Sequence, residues 1–257
     1  MDIHPTAIVD PKAELADDVV IGPYVVIGPH VRIGSGTSIG AHTVIDGWTE
    51  IGAHNRISSF VSIGFPPQDL KYKGGPTRLI IGNGNTIREY ATIHRGTEHG
   101  GGVTRIGHHN LIMAYVHVAH DCILHNRVIM ANAAMLAGHV VIEDDAVIGG
   151  LAAIHQFTRI GTHAYIGAKA GIKKDIPPYM LATGYPAKLY GPNLVGLKRK
   201  GFSKEAIQGL KKAYRIIFRS GQTLLEAVQE VRREVRDVVE VENLLRFVEG
   251  TQRGITR

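Results

Sequence analysis

Fourteen histidines stand in a chain of 257 residues, and three of them keep a spacing close to eighteen: His120, His139 and His155. Eighteen residues after His120 is Gly138, and eighteen after that is Gln156, so His139 and His155 each lie one residue from the same column. Asp121 follows His120, His117 precedes it by three, and His94 lies earlier. An imidazole beside a carboxylate is the arrangement of a general base. The carboxylate fixes the tautomer and stabilises the imidazolium, while the ring takes a proton from an attacking hydroxyl. A backbone N–H at a residue without a side chain can hold an oxyanion, and Gly138 is the residue placed for it. The chemistry would be acyl transfer to a hydroxyl with no covalent intermediate. A metal is the other chemistry such a column could serve, since His120 and His125 have a spacing that zinc sites use; the adjacent Asp121 favours the base. Cys122 is the sole cysteine and falls in an inward slot, so it reads as core packing.

The element that must position this column is a repeat. Aliphatic residues recur every six positions from Ile3 through Val9 and Leu15 to Ile63, again at Ile81, Ile87 and Ile93, and from Ile106 to Ile172. The residue two before each is usually small or β-branched, as at Val25, Thr37, Ala134 and Ala164, and the residue after is often glycine. Helical spacing of three and four fails to fit. One large and one small inward side chain per six residues describes short strands joined by tight turns, with glycine expected to supply unusual φ at the bends. Three hexapeptides make one triangular coil of eighteen residues, and stacked coils bury a continuous core. Residues eighteen apart then lie one above another at about 4.8 Å.

The pattern sets the organisation. A β-helix is expected over residues 1–178, broken by two protruding loops at 65–80 and 99–105. Residues 179–202, rich in Pro and Gly, read as an irregular linker, and 203–257 as a small helical domain. Ser203 is an N-cap signal, Thr223 and Glu226 form a capping box, and a third helix is expected over Val239 to Val248. From Lys198 to Arg219 there are eight basic residues and one acidic, Glu205. The net charge is +6 with a pI near 9.4, which favours an anionic partner. No recognition module for nucleic acid is present, so none is expected as a partner. No run of about eighteen apolar residues occurs, so no membrane span is expected. The N-terminus lacks a basic stretch followed by an apolar one, and a cytoplasmic protein is expected.

AYVHVAHDC (114–122), ANAAMLAGHV (131–140), IHQF (154–157), QDLKYKGGPTR (68–78), IREYATIHRGT (87–97) and GLKRKGFS (196–203) together resemble the bacterial UDP-N-acetylglucosamine O-acyltransferases of lipid A biosynthesis, over the whole chain. The resemblance implies an all-β left-handed parallel β-helix followed by a small C-terminal α-helical domain, assembled as a homotrimer with sites between subunits. It implies transfer of an R-3-hydroxyacyl group from acyl carrier protein to the glucosamine 3-hydroxyl of UDP-N-acetylglucosamine. No cofactor is implied beyond the phosphopantetheine arm of the carrier, and no metal. His120 matches the family's base, Asp121 its partner and Gly138 the oxyanion donor. Gln68, Asp69, Lys71, His139, His155 and Gln156 match positions lining the sugar and acyl site. His94 and His117 match positions near the phosphates and donor arm, and Asn193, Arg199 and Lys200 match the nucleotide-binding segment. Ala168 matches the position that limits acyl-chain length.

Overall fold

A computed structural model describes all 257 residues. The hexapeptides form a left-handed parallel β-helix of three sheets, with four helices following it. Strands of the same sheet pair in parallel one coil apart, as Val118 with Leu136 and Leu124 with Ile142. From Ile21 onward the six-fold aliphatics are buried. Ile3 is 38% exposed, because no coil stacks beneath the first.

Of the glycines that follow the aliphatics, Gly64 has the expected unusual φ, +79°, and the others work differently. Gly22 and Gly40 do not bend the chain; a Cβ at Gly22 would meet the Ile39 carbonyl oxygen at 3.0 Å, and one at Gly40 the Ser59 nitrogen at 2.6 Å. They let neighbouring coils approach. The left-handed turn residues are mostly not glycine: Tyr24, His42, Phe60, Asp121, His139 and Phe157 all have φ near +60°. Flanking strands locked into ladders on both sides offset the ~1–2 kcal/mol that an L-residue costs there. A second unexpected feature lies inside. Asn55, Asn85 and Asn110 occupy the small inward slot of three stacked coils, each accepting a backbone N–H from the coil above, and Asn85 Nδ2 donates to Asn55 Oδ1 at 2.9 Å. The amides satisfy the buried corner that an apolar residue would leave unpaired.

Two insertions leave the coils. The partner of Ile57 is Ile87, thirty residues on, whereas Ile39 lies eighteen before it. The first loop runs from 66 to 77, shorter than expected at both ends, because Ser62–Phe65 and Arg78–Ile81 are strands. The second runs from 95 to 102, since Val103–Ile106 is already a strand. Residues 179–202 are not irregular. Met180–Thr183 and Lys188–Pro192 form an antiparallel hairpin on the largest sheet, and Leu194–Arg199 is a helix, α1. Then come α2 (Lys204–Arg219), α3 (Leu224–Glu234) and α4 (Val239–Glu249). Ser203 caps α2 and the Thr223–Glu226 box caps α3. One buried apolar cluster continues from Val19 to Val248. The chain end returns to the β-helix, where Ile255 bridges Asp175. No helix is long and apolar enough to cross a membrane.

Candidate active site

His120, Gly138 and Gln156 stack at the corner where the nine-stranded sheet turns into the eight-stranded one. His120 Nδ1 lies 2.9 Å from Asp121 Oδ2. A carboxylate only accepts, so Nδ1 carries the proton and Nε2 keeps a free lone pair. Asp121 is held from the other side. The Thr97 N–H reaches both carboxylate oxygens at 3.1 Å and the Thr97 hydroxyl donates to Oδ2 at 2.7 Å. The Asp121 N–H donates to Thr104 Oγ1. Burial by itself would raise the Asp121 carboxyl, but the bonds from His120 and Thr97 outweigh it and hold the group below its ordinary value.

Glycine is required around this pair. A Cβ on Gly138 would lie 2.5 Å from His120 Cε1 and 2.7 Å from Nε2. Gly100 packs so closely on the Asp121 carboxylate that a side chain there would overlap it. The Gly138 N–H makes no hydrogen bond within the chain.

His139 stands edge-on to His120, its ring 5.2 Å away, and stacks on Phe157 at 4.4 Å. Burial lowers its pKa, against the pull of Asp121. His120, Asp121 and His139 present three donor atoms within 4.8 Å of one another; His125 is not part of this group. His94 and His117 meet edge-on at 5.1 Å. Burial, then the neighbouring His117, holds His94 at about 4, and burial also lowers His117. His117 Nδ1 is 2.7 Å from the Thr92 hydroxyl, while His94 Nδ1 is buried without a partner.

The first loop brings Asp69 to the corner, where its charge bears on His139. The Lys71 N–H, then the nearby His99, keeps the Asp69 carboxyl below its ordinary value. Gln68 and Lys71 are exposed on the same loop. His155 and Gln156 are exposed one coil above His139, and Arg253 from the chain end donates to His155 Nδ1 at 3.3 Å. Ala168 is exposed at the opposite edge of the nine-stranded sheet, three coils above His120, about 14 Å higher along the axis. Between them the outer face of that sheet shows Met135 and Ala153, both exposed, and then Gly171 under the Tyr185 ring.

Three expected residues are not at this corner. Asn193 caps α1 by accepting from the Gly196 N–H and donates to the His163 carbonyl. Lys200 pairs with Asp145 at 2.7 Å, and Arg199 is exposed beside it. Asp145 and His163 belong to a different corner of the triangle, where the eight-stranded sheet turns into the eleven-stranded one. Sequence reasoning missed Thr97, Arg95 and Glu98, which come from the loops and obey no period.

Comparisons with known proteins agree with this architecture. The family described as Udp N-acetylglucosamine O-acyltransferase, Domain 2, matches residues 175–256, and the bacterial transferase hexapeptide family matches residues 2–35. The acyl-(acyl-carrier-protein)–UDP-N-acetylglucosamine O-acyltransferase of Thermodesulfovibrio yellowstonii is 58% identical over 256 residues, covering 100% of this chain and 99% of that protein. The corresponding protein of Thiobacillus denitrificans is 54% identical, covering 99% of each. Among solved structures, the UDP-N-acetylglucosamine O-acyltransferase of Moraxella catarrhalis superposes with a TM-score of 0.97 at 44% identity over 100% of both chains. That of Bacteroides fragilis gives 0.97 at 41%, covering 99% of this chain and 100% of that one. The chain belongs to the acyl-(acyl-carrier-protein)–UDP-N-acetylglucosamine O-acyltransferase family.

Proposed function

We propose that this O-acyltransferase moves an R-3-hydroxyacyl chain from acyl carrier protein to the glucosamine 3-hydroxyl of UDP-N-acetylglucosamine, opening lipid A biosynthesis, by general base catalysis without an acyl-enzyme. The observation that carries the mechanism is the His120–Asp121 bond, which leaves Nε2 free on a ring packed against Gly138. Nε2 takes the proton as the sugar hydroxyl attacks the thioester carbonyl. Asp121 stabilises the imidazolium that forms, and the unpaired Gly138 N–H is available to the developing oxyanion. The proton then goes to the departing thiolate of the phosphopantetheine arm. Cys122 is no nucleophile: it is fully buried, and burial pushes its thiol up to about 12. The mechanism uses no metal: the free Nε2 of His120 supplies the base and the Gly138 N–H meets the oxyanion.

A homotrimer is part of the proposal. Asn193, Arg199 and Lys200 lie at another corner of the same chain, so they complete a nucleotide site at His120 only when a second copy presents them. Tyr24, His42, Phe60, Tyr90 and Tyr115 stack at 4.9–5.3 Å in a column at the edge between the eleven- and nine-stranded sheets, and its tyrosines and phenylalanine are 45–59% exposed. Such a strip suits burial between copies. Mass spectrometry of the product from mixed 3-hydroxyacyl carriers and UDP-N-acetylglucosamine tests the reaction. An O-linked 3-hydroxyacyl ester on the sugar, lost in His120→Ala, is expected; an acylated protein intermediate would overturn the mechanism.

A further inference from the structure

We propose that His99 is a positioning residue for the acyl acceptor, holding the Asp69 carboxylate of the first loop in place beside the His120–Asp121 pair. His99 Nε2 lies 3.1 Å from Asp69 Oδ2, and the Asp69 side chain is only 20% exposed. The contact is the outermost of three between residues 95–99 and the first loop. Arg95 donates to the Tyr72 hydroxyl from Nε at 3.1 Å and from Nη2 at 2.9 Å, and anchors itself on the Gly64 carbonyl. Glu98 Oε1 accepts the N–H of Gly75 at 2.8 Å and of Lys73 at 3.3 Å.

Thr97, in the middle of the same five residues, grips Asp121 on the opposite side. The segment is therefore a clasp with two faces. One face fixes the partner of the base, the other fixes the loop that carries Asp69. Arg95 is buried, and its guanidinium lies between the Trp48 and Tyr72 rings at 5.8 and 5.6 Å, which makes that end rigid. Glycines follow at the other end: Gly101 and Gly102 have φ of +107° and +78°. His99 stands between the rigid end and these glycines. It is the single side chain of the clasp that touches an ionised group placed to meet substrate.

The inference rests on the reading of Asp69 as an acceptor-site residue. A charge-assisted hydrogen bond at a half-exposed site warrants an effect of about tenfold. The test uses the full-length protein with His99→Ala, His99→Gln, Asp69→Ala and the double variant. Two readouts are taken, steady-state kinetics with acyl carrier protein and calorimetric titration with UDP-N-acetylglucosamine alone. His99→Ala is expected to raise KM and Kd for the sugar nucleotide about tenfold and to leave KM for the carrier unchanged. His99→Gln, which keeps an N–H donor, is expected to recover most of the loss. In the Asp69→Ala background His99→Ala is expected to add less than about twofold. An unchanged Kd in His99→Ala, an equal rise of both KM values, or effects that multiply in the double variant would overturn the assignment. A protein that binds the sugar nucleotide yet transfers no acyl group would sink the proposed reaction, while the calorimetric series still decides the role of His99.

Discussion

Gly138→Ala separates catalytic geometry from stability more cleanly than removal of the base. The added methyl would sit 2.5 Å from His120 Cε1 and 2.7 Å from Nε2, where ordinary contact begins at 3.4 Å. The ring must therefore retreat by about 0.7–0.9 Å or rotate away from Asp121. The His120 side chain is 15% exposed and its ring gives way before the backbone does, at the cost of part of its bond to Asp121. Gly138 is not in the left-handed region, and alanine there restricts the unfolded chain, which stabilises by about 0.4–1 kcal/mol. The catalytic penalty is of another size. A reacting group misplaced by about 1 Å costs roughly 10²-fold in rate, close to the ~10²–10⁴ expected from deleting the base. For stability, the weakened bond and the restricted unfolded chain oppose each other, and thermal unfolding should show a Tm within about 3 °C of the parent. Acyl transfer at saturating carrier and sugar nucleotide should fall by about 10²-fold. The double variant with His120→Ala identifies the cause. If the methyl acts by displacing the ring, the double variant is no slower than His120→Ala; if it blocks the Gly138 N–H, the two losses multiply. Turnover of Gly138→Ala within about threefold of the parent would refute the reasoning, because a base tolerant of that displacement is not held by this geometry.

Four further outcomes follow from the same structure. Asp121→Asn should lower the rate by about 10²–10⁴ with little change in either KM, since the amide can present its NH₂ to His120 and reverse the tautomer; a KM effect alone would count against the dyad. A chelator should leave the rate unchanged, and a loss restored by zinc would revive the metal reading of the His120, Asp121 and His139 donor atoms. Burial keeps His94 near 4, while the unfolded chain titrates near ~6.5, so between those values the unfolded state binds the extra proton. Stability present above pH ~6.5 is therefore lost as pH falls toward 4, by at most about 3 kcal/mol, and His94→Leu should flatten that slope in denaturant titrations; parallel slopes for both proteins would refute the assignment. On the basic helix face Lys212 is occupied by Glu234 and Arg219 by Tyr214 and the Leu189 carbonyl, so Lys211 and Arg215 are the pair to reverse; Lys211→Glu with Arg215→Glu should raise KM for the acidic carrier and weaken its salt dependence, and an unchanged KM would make them bystanders.

What could be read from the sequence was whatever repeats. Every inward position of a β-helix meets the same surroundings eighteen residues later, so the alternation of Ile142 with Val140 or Ile154 with Ala152 had to persist, and counting by eighteen placed Gly138 above His120. Loop contacts have no such constraint. Arg95 meets Tyr72 across 23 residues and Thr97 meets Asp121 across 24, neither a multiple of the coil. The hairpin at 180–192 escaped for the same reason: its strands run antiparallel, and Pro178 and Gly184 stand where the repeat would place aliphatics. The glycine expectation failed on a different point. Period alone does not tell whether a small residue is needed for its own φ or for the backbone passing above it, and at Gly22 and Gly40 it is the latter.

Chain length tests how far the coil arithmetic reaches into specificity. Ala168 and His120 lie at opposite edges of the nine-stranded sheet and three coils apart, so an acyl chain starting at His120 must cross Met135 and Ala153 to reach Ala168. Met135 and Ala153 point outward from successive coils and leave an apolar path with no charged side chain in its outward column. At its upper end the Tyr185 ring covers Gly171, which closes the column one coil above Ala153. A methyl at position 168 narrows this end by one carbon relative to glycine, and a misfitting methylene is worth about 1–3 kcal/mol, or ~10–200-fold in selectivity. Ala168→Gly should lengthen the preferred 3-hydroxyacyl chain and Ala168→Met should shorten it, read by competition between carriers of different length in one reaction. If both variants keep the parent's profile while Tyr185→Ala shifts it toward longer chains, the wall that measures the chain is the tyrosine ring over Gly171, and the column position matched by Ala168 only borders it.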